Sequence, residues 1–142
     1  MRALFDVNML IALFDYDHPH HARAKSWLQQ NFEFGWATCP ITQNGMIRIM
    51  SQPSYTNPLS TQAITLRLRA ATADAAHVFL SDSISLTDPE RVDVNVILTS
   101  NATTDIYLLA LAVANNARFV TFDRGVSLRA VVGATPAHLV TL

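Results

Sequence analysis

Charged side chains are scarce in this sequence, only 15% of residues, so the places where aspartates fall are informative. Asp6 follows the short apolar run Ala3 to Phe5, Asp105 opens the run TTDIYLLALAVANN, and Asp123 follows RFVTF. Two of these positions read as the ends of strands and one as the first turn of a helix. In an open parallel sheet, ligands gather outside the carboxyl ends of the strands, so three such aspartates can converge on one edge. Carboxylates brought together repel one another unless a cation joins them. Oxygen donors of this hardness suit magnesium or manganese better than zinc. A divalent ion held there can activate water and stabilise charge on a phosphoryl oxygen, which points to phosphodiester hydrolysis. Each aspartate also has a plainer reading. Asp6 can cap the helix that begins beside Asn8, Asp105 can serve the helix dipole, and Asp123 in FDRG can shape a turn. Their shared placement weakens the plain reading taken jointly.

The elements needed to position these residues are legible as alternating strands and helices. Strands are expected at Ala3 to Phe5, Gly35 to Thr38, His77 to Leu80, Arg118 to Phe122 and Ala137 to Leu142. Helices are expected from Asn8, from Pro19 to Gln30 with Ala22, Ala24, Trp27 and Leu28 as the apolar side, from Pro40 to Met50, and from Thr61 to Thr72. Proline at Pro19 and Pro40 is compatible with a first helical turn. Asp82 to Asn101 is harder to assign, with a helix expected over Arg91 to Leu98. Thr104 to Asn115 is apolar nearly all round, so that helix should be central and buried. The alternation argues a three-layer α/β/α fold with a mainly parallel sheet.

Composition narrows the functional classes. The 142 residues are 50% hydrophobic, as in a core-rich globular domain rather than a disordered chain. Ten basic residues against eleven acidic ones exclude the strongly basic field of a nonspecific nucleic-acid coat, but not a local basic rim. The one cysteine, Cys39, cannot form an internal disulfide, which suits the cytoplasm. The opening MRALFDVNMLIALFDYD reads as a strand running into a helix, not as a signal peptide.

At the aspartates the sequence resembles a known family. LFDVNMLIALFDYDHPHHARAKSWL is similar to the opening of a VapC-type PIN domain. TCPITQNGMIRIM resembles its second block, and TTDIYLLALAVANNARFVTFDRG its third and fourth. The blocks stand in the family's order and span nearly the whole chain, read here as one PIN domain over 1–142. The resemblance implies that Asp6, Asp105 and Asp123 bind Mg²⁺ or Mn²⁺ and that the protein cleaves RNA, with tRNA or a ribosomal RNA loop as substrate. It implies a five-stranded parallel sheet, a homodimer, and a cognate antitoxin protein that occupies the active-site groove. One position departs from the pattern: Gln43 stands where the second block commonly has a glutamate. The chain is then a natural variant working with three aspartates, a degenerate toxin that binds partners without cutting, or a form with an introduced change. Some members of the subfamily carry TQNG, which favours the first.

Supporting residues are less decisive. Arg48 and Arg124 suit phosphate through their planar forks, with a solvated arginine or a salt bridge as the alternative. Asn8, Thr104 and Thr121 are short polar neighbours able to orient the aspartates, with capping as the competing role for Asn8 and Thr104. His18, His20 and His21 make a poor zinc site without cysteines or a paired helical spacing. Trp27 and Trp36 are expected in the core rather than against bases, and His77 and His138 are expected to be structural. A catalytically weak module binding an antitoxin or RNA is the rival to the nuclease, kept alive by Gln43. A phosphatase or receiver is disfavoured, because neither a nucleophile-type DxD motif nor the accompanying Thr and Lys arrangement is evident.

Overall fold

Side-chain alternation along five short strands decides where the two halves of the core lie. In the computed structural model, which describes residues 1–96 and 99–142, the strands are β1 (Ala3–Phe5), β2 (Trp36–Thr38), β3 (His77–Phe79), β4 (Arg118–Thr121) and β5 (Leu139–Thr141). They form one sheet in the order β3-β2-β1-β4-β5, with every neighbouring pair parallel. Leu4, Ala37 and Phe119 face one side of the sheet, and Ala3, Phe5, Trp36 and Val120 face the other, as the two-residue period requires.

Four helices cover the second face: α1 (Val7–Phe14), α2 (His21–Asn31), α3 (Pro40–Met50) and α4 (Thr61–Thr72). Met9, Leu10, Ala24, Met46, Ile64 and Leu68 supply their buried residues. The first face is covered by α5 (Thr103–Ala114), whose residues Ile106 to Ala112 are all buried. A helix apolar on every side needs cover on every side. Here Val92, Ala130 and Val131 close over the outside of α5. The layers are thus helix, sheet and helix, as expected, with α-helices divided four to one among the described residues. No helix is long and apolar enough to cross a membrane among the described residues.

The expected helix over Arg91 to Leu98 is not what the described part adopts; Ile97 and Leu98 lie outside the described residues. Val92 forms an isolated antiparallel bridge with Val131, and the Val132 amide donates to the Arg91 carbonyl at 3.0 Å. Beyond the bridge the chain turns: the Val96 amide donates to the Asp93 carbonyl at 3.1 Å, and the Asn95 amide to Asp93 Oδ1 at 2.9 Å. Val92 is buried under the core while Val94 is exposed; in a continuous strand the two would share a face, so the extended geometry ends at the bridge. The second helix starts at His21 rather than Pro19, which lies in the preceding turn, and Ala22 on it is exposed.

Candidate active site

The strand order reverses direction at β1, which has β2 on one side and β4 on the other. A crevice opens outside the carboxyl ends of strands at such a switch point. Asp6 follows β1 and Asp123 follows β4, so both lie at its mouth. Helix α5 leads into β4 and runs back against the sheet, which brings its first turn, and Asp105, to the same edge.

Each carboxylate is held by local chemistry. Asp6, 6% exposed, caps α1: its Oδ1 accepts from the Val7 amide at 2.6 Å. Its Oδ2 accepts from the Thr121 hydroxyl at 2.9 Å, and that hydroxyl also accepts from the Asp123 amide at 3.0 Å. Asp123 Oδ1 accepts from the Gly125 amide at 2.6 Å, which closes the turn. The plain roles considered for Asp6 and Asp123 are therefore real, and the clustering comes in addition to them.

Proximity shows in the electrostatics. Burial, the charges of Asp6 and Asp123, and hydrogen-bonding reach to Asp123 push the Asp105 carboxyl up to about 6. Burial also raises Asp6; the Thr121 and Val7 hydrogen bonds oppose this, and the Asp123 charge adds to it. Among the described residues, no three His, Cys, Asp or Glu side chains are drawn closely enough together to hold a metal ion as they stand.

The other sequence-derived residues are scattered around this centre. Gln43 lies in the first turns of α3, and its Nε2 donates to the Thr38 hydroxyl at 2.9 Å. Thr121 is buried and bridges Asp6 to Asp123. Arg124 is exposed directly after Asp123. Arg48 is not brought to the acids: it lies in the last turn of α3, in a shallow groove with Asn44, Ile47, Ser51 and Thr61. Asn8 and Thr104 are exposed, and capping falls to Asp6 for α1 and to Thr99 for the short 3-10 turn before α5.

The histidines near α2 are occupied locally. His21 Nδ1 donates to the Ala12 carbonyl at 2.7 Å, and His18 Nδ1 accepts from the His20 amide at 3.0 Å. Trp36 is buried and stacks on Phe5, with ring centroids 5.8 Å apart, and Trp27 meets the same ring edge-on. What the sequence did not disclose is Thr38, fully buried, whose hydroxyl also meets His77 Nε2 at 2.9 Å.

Comparison with known proteins gives these residues a family. The profile of the PIN domain matches residues 3–132. Ribonuclease VapC44 of Mycobacterium tuberculosis is 49% identical over 142 residues, covering all of both chains. Ribonuclease VapC38 of the same organism is 39% identical, covering 99% of each chain. The chain belongs to the PIN-domain family. The solved VapBC2 from Rickettsia felis, bound to a DNA fragment from their promoter, matches with a TM-score of 0.57 at 13% identity, over 88% of this chain and 90% of that one. That likeness carries the fold alone.

In this PIN domain the donors available at the crevice are carboxylate oxygens from three separate segments. Asp6 and Asp105 are partly desolvated, Asp123 is exposed, and burial together with the charges of Asp6 and Asp123 raises Asp105 to about 6. Such a set fits a hard divalent ion by charge and by donor type.

Proposed function

We propose that this PIN domain, read as one unit over 1–142, is an endoribonuclease toxin that hydrolyses RNA phosphodiester bonds with Mg²⁺ or Mn²⁺ held by Asp6, Asp105 and Asp123. The observation that carries the reading is the acid crevice at the β1–β4 switch point, where the charges of Asp6 and Asp123 help lift Asp105 to about 6. A divalent ion, when bound, would supply an activated water and charge neutralisation at the scissile phosphate. The chain's own residues prepare that site. Thr121 fixes one oxygen of Asp6 and the backbone of Asp123, so two of the acids are oriented by a single hydroxyl. Arg124, exposed beside Asp123, can pair with an RNA phosphate through two parallel hydrogen bonds.

Relatives named as ribonucleases at up to 49% identity over the full length support RNA as the substrate. Structured RNA, either tRNA or a ribosomal loop, belongs to the same reading, as do a cognate antitoxin, a homodimeric state and the cytoplasm. The test is cleavage of total RNA by the antitoxin-free protein in Mg²⁺, Mn²⁺ or EDTA, beside Asp6→Asn and Gln43→Glu. Metal-dependent cleavage that Asp6→Asn and EDTA both abolish supports the reading. If only Gln43→Glu cuts, the fold and site stand but this chain is an inactive form. If neither cuts and no divalent ion binds, a protein- or RNA-binding module replaces the nuclease.

A further inference from the structure

One hydroxyl near the β2 end of the sheet edge ties three side chains together. Thr38 Oγ1 lies 2.9 Å from Gln43 Nε2 and 2.9 Å from His77 Nε2. An amide nitrogen only donates, so the hydroxyl oxygen accepts from Gln43 and its own proton is left for the imidazole. Where it is given to His77 Nε2, that nitrogen is the bare one and the ring proton sits on Nδ1; in the other tautomer the hydroxyl accepts from both neighbours through its two lone pairs. The Thr72 carbonyl at the end of α4 is placed to accept the Nδ1 proton. In this arrangement each link of the relay Gln43 to Thr38 to His77 to Thr72 has one donor and one acceptor.

The surroundings keep the ring neutral. Trp36 packs on the imidazole with centroids 4.5 Å apart, and Thr38 is fully buried. Burial, and after it the charge of Arg2, lower the His77 pKa from its usual value, while the Thr72 carbonyl and Asp74 act in the raising direction.

We propose that Thr38 and His77 are positioning residues for Gln43: neutral His77 orients the hydroxyl, and the hydroxyl holds the amide. The side chain thus has Nε2 committed and Oε1 as the polar atom left for water, cation or RNA. Glutamine is then the residue this pocket is built around, rather than a glutamate that has been lost. A carboxylate at position 43 has no proton to give. Thr38 would turn its proton toward it, and the hydroxyl oxygen would have to accept from His77 Nε2–H. With Nδ1 still donating to Thr72, the ring would need both protons. A glutamate at this position therefore favours a charged His77 beside Arg2, since a neutral ring could donate to Thr38 only by giving up Thr72.

The functional value of this arrangement rests on the nuclease reading, but its test does not. Ring-nitrogen NMR on the metal-free protein at neutral pH reports the tautomer directly, and a pH titration reports the His77 pKa. The native chain is expected to show the Nδ1–H tautomer. Gln43→Glu should raise the His77 pKa by about one unit or more, the effect of an added opposite charge nearby. Gln43→Met, which removes the donor without adding charge, should leave the pKa nearly unmoved. An Nε2–H tautomer in the native protein overturns the relay, and so does a Gln43→Met shift as large as that of Gln43→Glu. Neither readout needs RNA or metal. A chain that cuts RNA but shows Nε2–H sinks only the relay, and one with the relay intact that never cuts sinks only the nuclease.

Discussion

Two threonines end neighbouring parts of the same sheet edge and spend their hydroxyl protons in opposite ways. Thr121 closes β4, Thr38 closes β2, and both are fully buried. Thr121 gives its proton to the Asp6 carboxylate and accepts from a backbone amide, so it stabilises negative charge where three acids meet. Thr38 accepts from an amide side chain and faces an imidazole, so it holds neutral groups at the other end of the edge. The difference teaches how one sheet edge can hold a charged end and a neutral end with equal order. The position at Gln43 remains hydrogen-bonded, and the charge is concentrated at the β1–β4 end, where backbone amides and one hydroxyl already support it.

The largest effect should come from the charged end. Asp6→Asn keeps a residue that caps helices well, so the fold should persist. Losing a ligand should nevertheless cost more than the roughly 10–100-fold typical of a supporting residue, read as RNA cleavage in Mn²⁺. The paired threonine changes then test the comparison itself. Thr121→Val removes the donor to Asp6 and the acceptor for Asp123, and should lower cleavage or metal affinity by about 10–100-fold. Thr38→Val should lose less than about tenfold, since it touches no acid. Equal losses at the two sites would mean that the neutral end matters as much as the charged one.

The charged end should also declare itself through pH. Asp105 is raised in the folded protein, so the folded state holds a proton that the unfolded chain has released. By linkage, that contribution to stability is present below the ordinary aspartate range and is lost as pH rises toward about 6. Melting temperature of the metal-free protein should therefore fall over this interval, and Asp105→Asn should flatten the fall. A divalent cation should restore more stability at pH 7 than at pH 5, because it replaces the proton as the partner of the cluster. A metal effect that is the same at both pH values would break the link between Asp105 and the ion.

What could be read in the sequence follows the range of the forces involved. Buried parallel strands announce themselves locally, as Ala3 to Phe5 and Arg118 to Phe122 do, because an apolar run stops at a polar residue. Helix α3 was bounded by Pro40 and the polar loop beyond Met50, and the structure gives those limits. Its Asn44-Gly45 pair carries the local signature of a turn, yet it sits inside the helix. The reason is packing: a Cβ on Gly45 would come within 2.6 Å of Val7 Cγ2 on α1. The segment Val92 to Val96 was misread for the opposite reason, since the bridge partner of Val92, Val131, lies far along the chain. The three aspartates were legible because strand ends place them. Thr38 and His77 were not, because their hydrogen bond spans 39 residues and nothing in either neighbourhood signals it.

The smallest effects separate the two arginines. Both suit phosphate chemically, but Arg124 adjoins Asp123 while Arg48 lies five residues past Gln43, at the far end of α3. At 1.5 Å of rise per residue, that is about 7.5 Å farther along the helix axis, away from the end that meets the sheet edge. Each phosphate contact releases counterions and steepens the salt dependence of binding by about 0.7 to 1 in a log–log plot. Arg124→Ala should therefore reduce the salt slope of RNA binding by about that amount and weaken all sequences alike. Arg48→Ala should leave the slope unchanged. If Arg48→Ala flattens it instead, the RNA runs across the groove between α3 and α4, and the neutral end of the edge, not the charged one, carries the greater part of the contact.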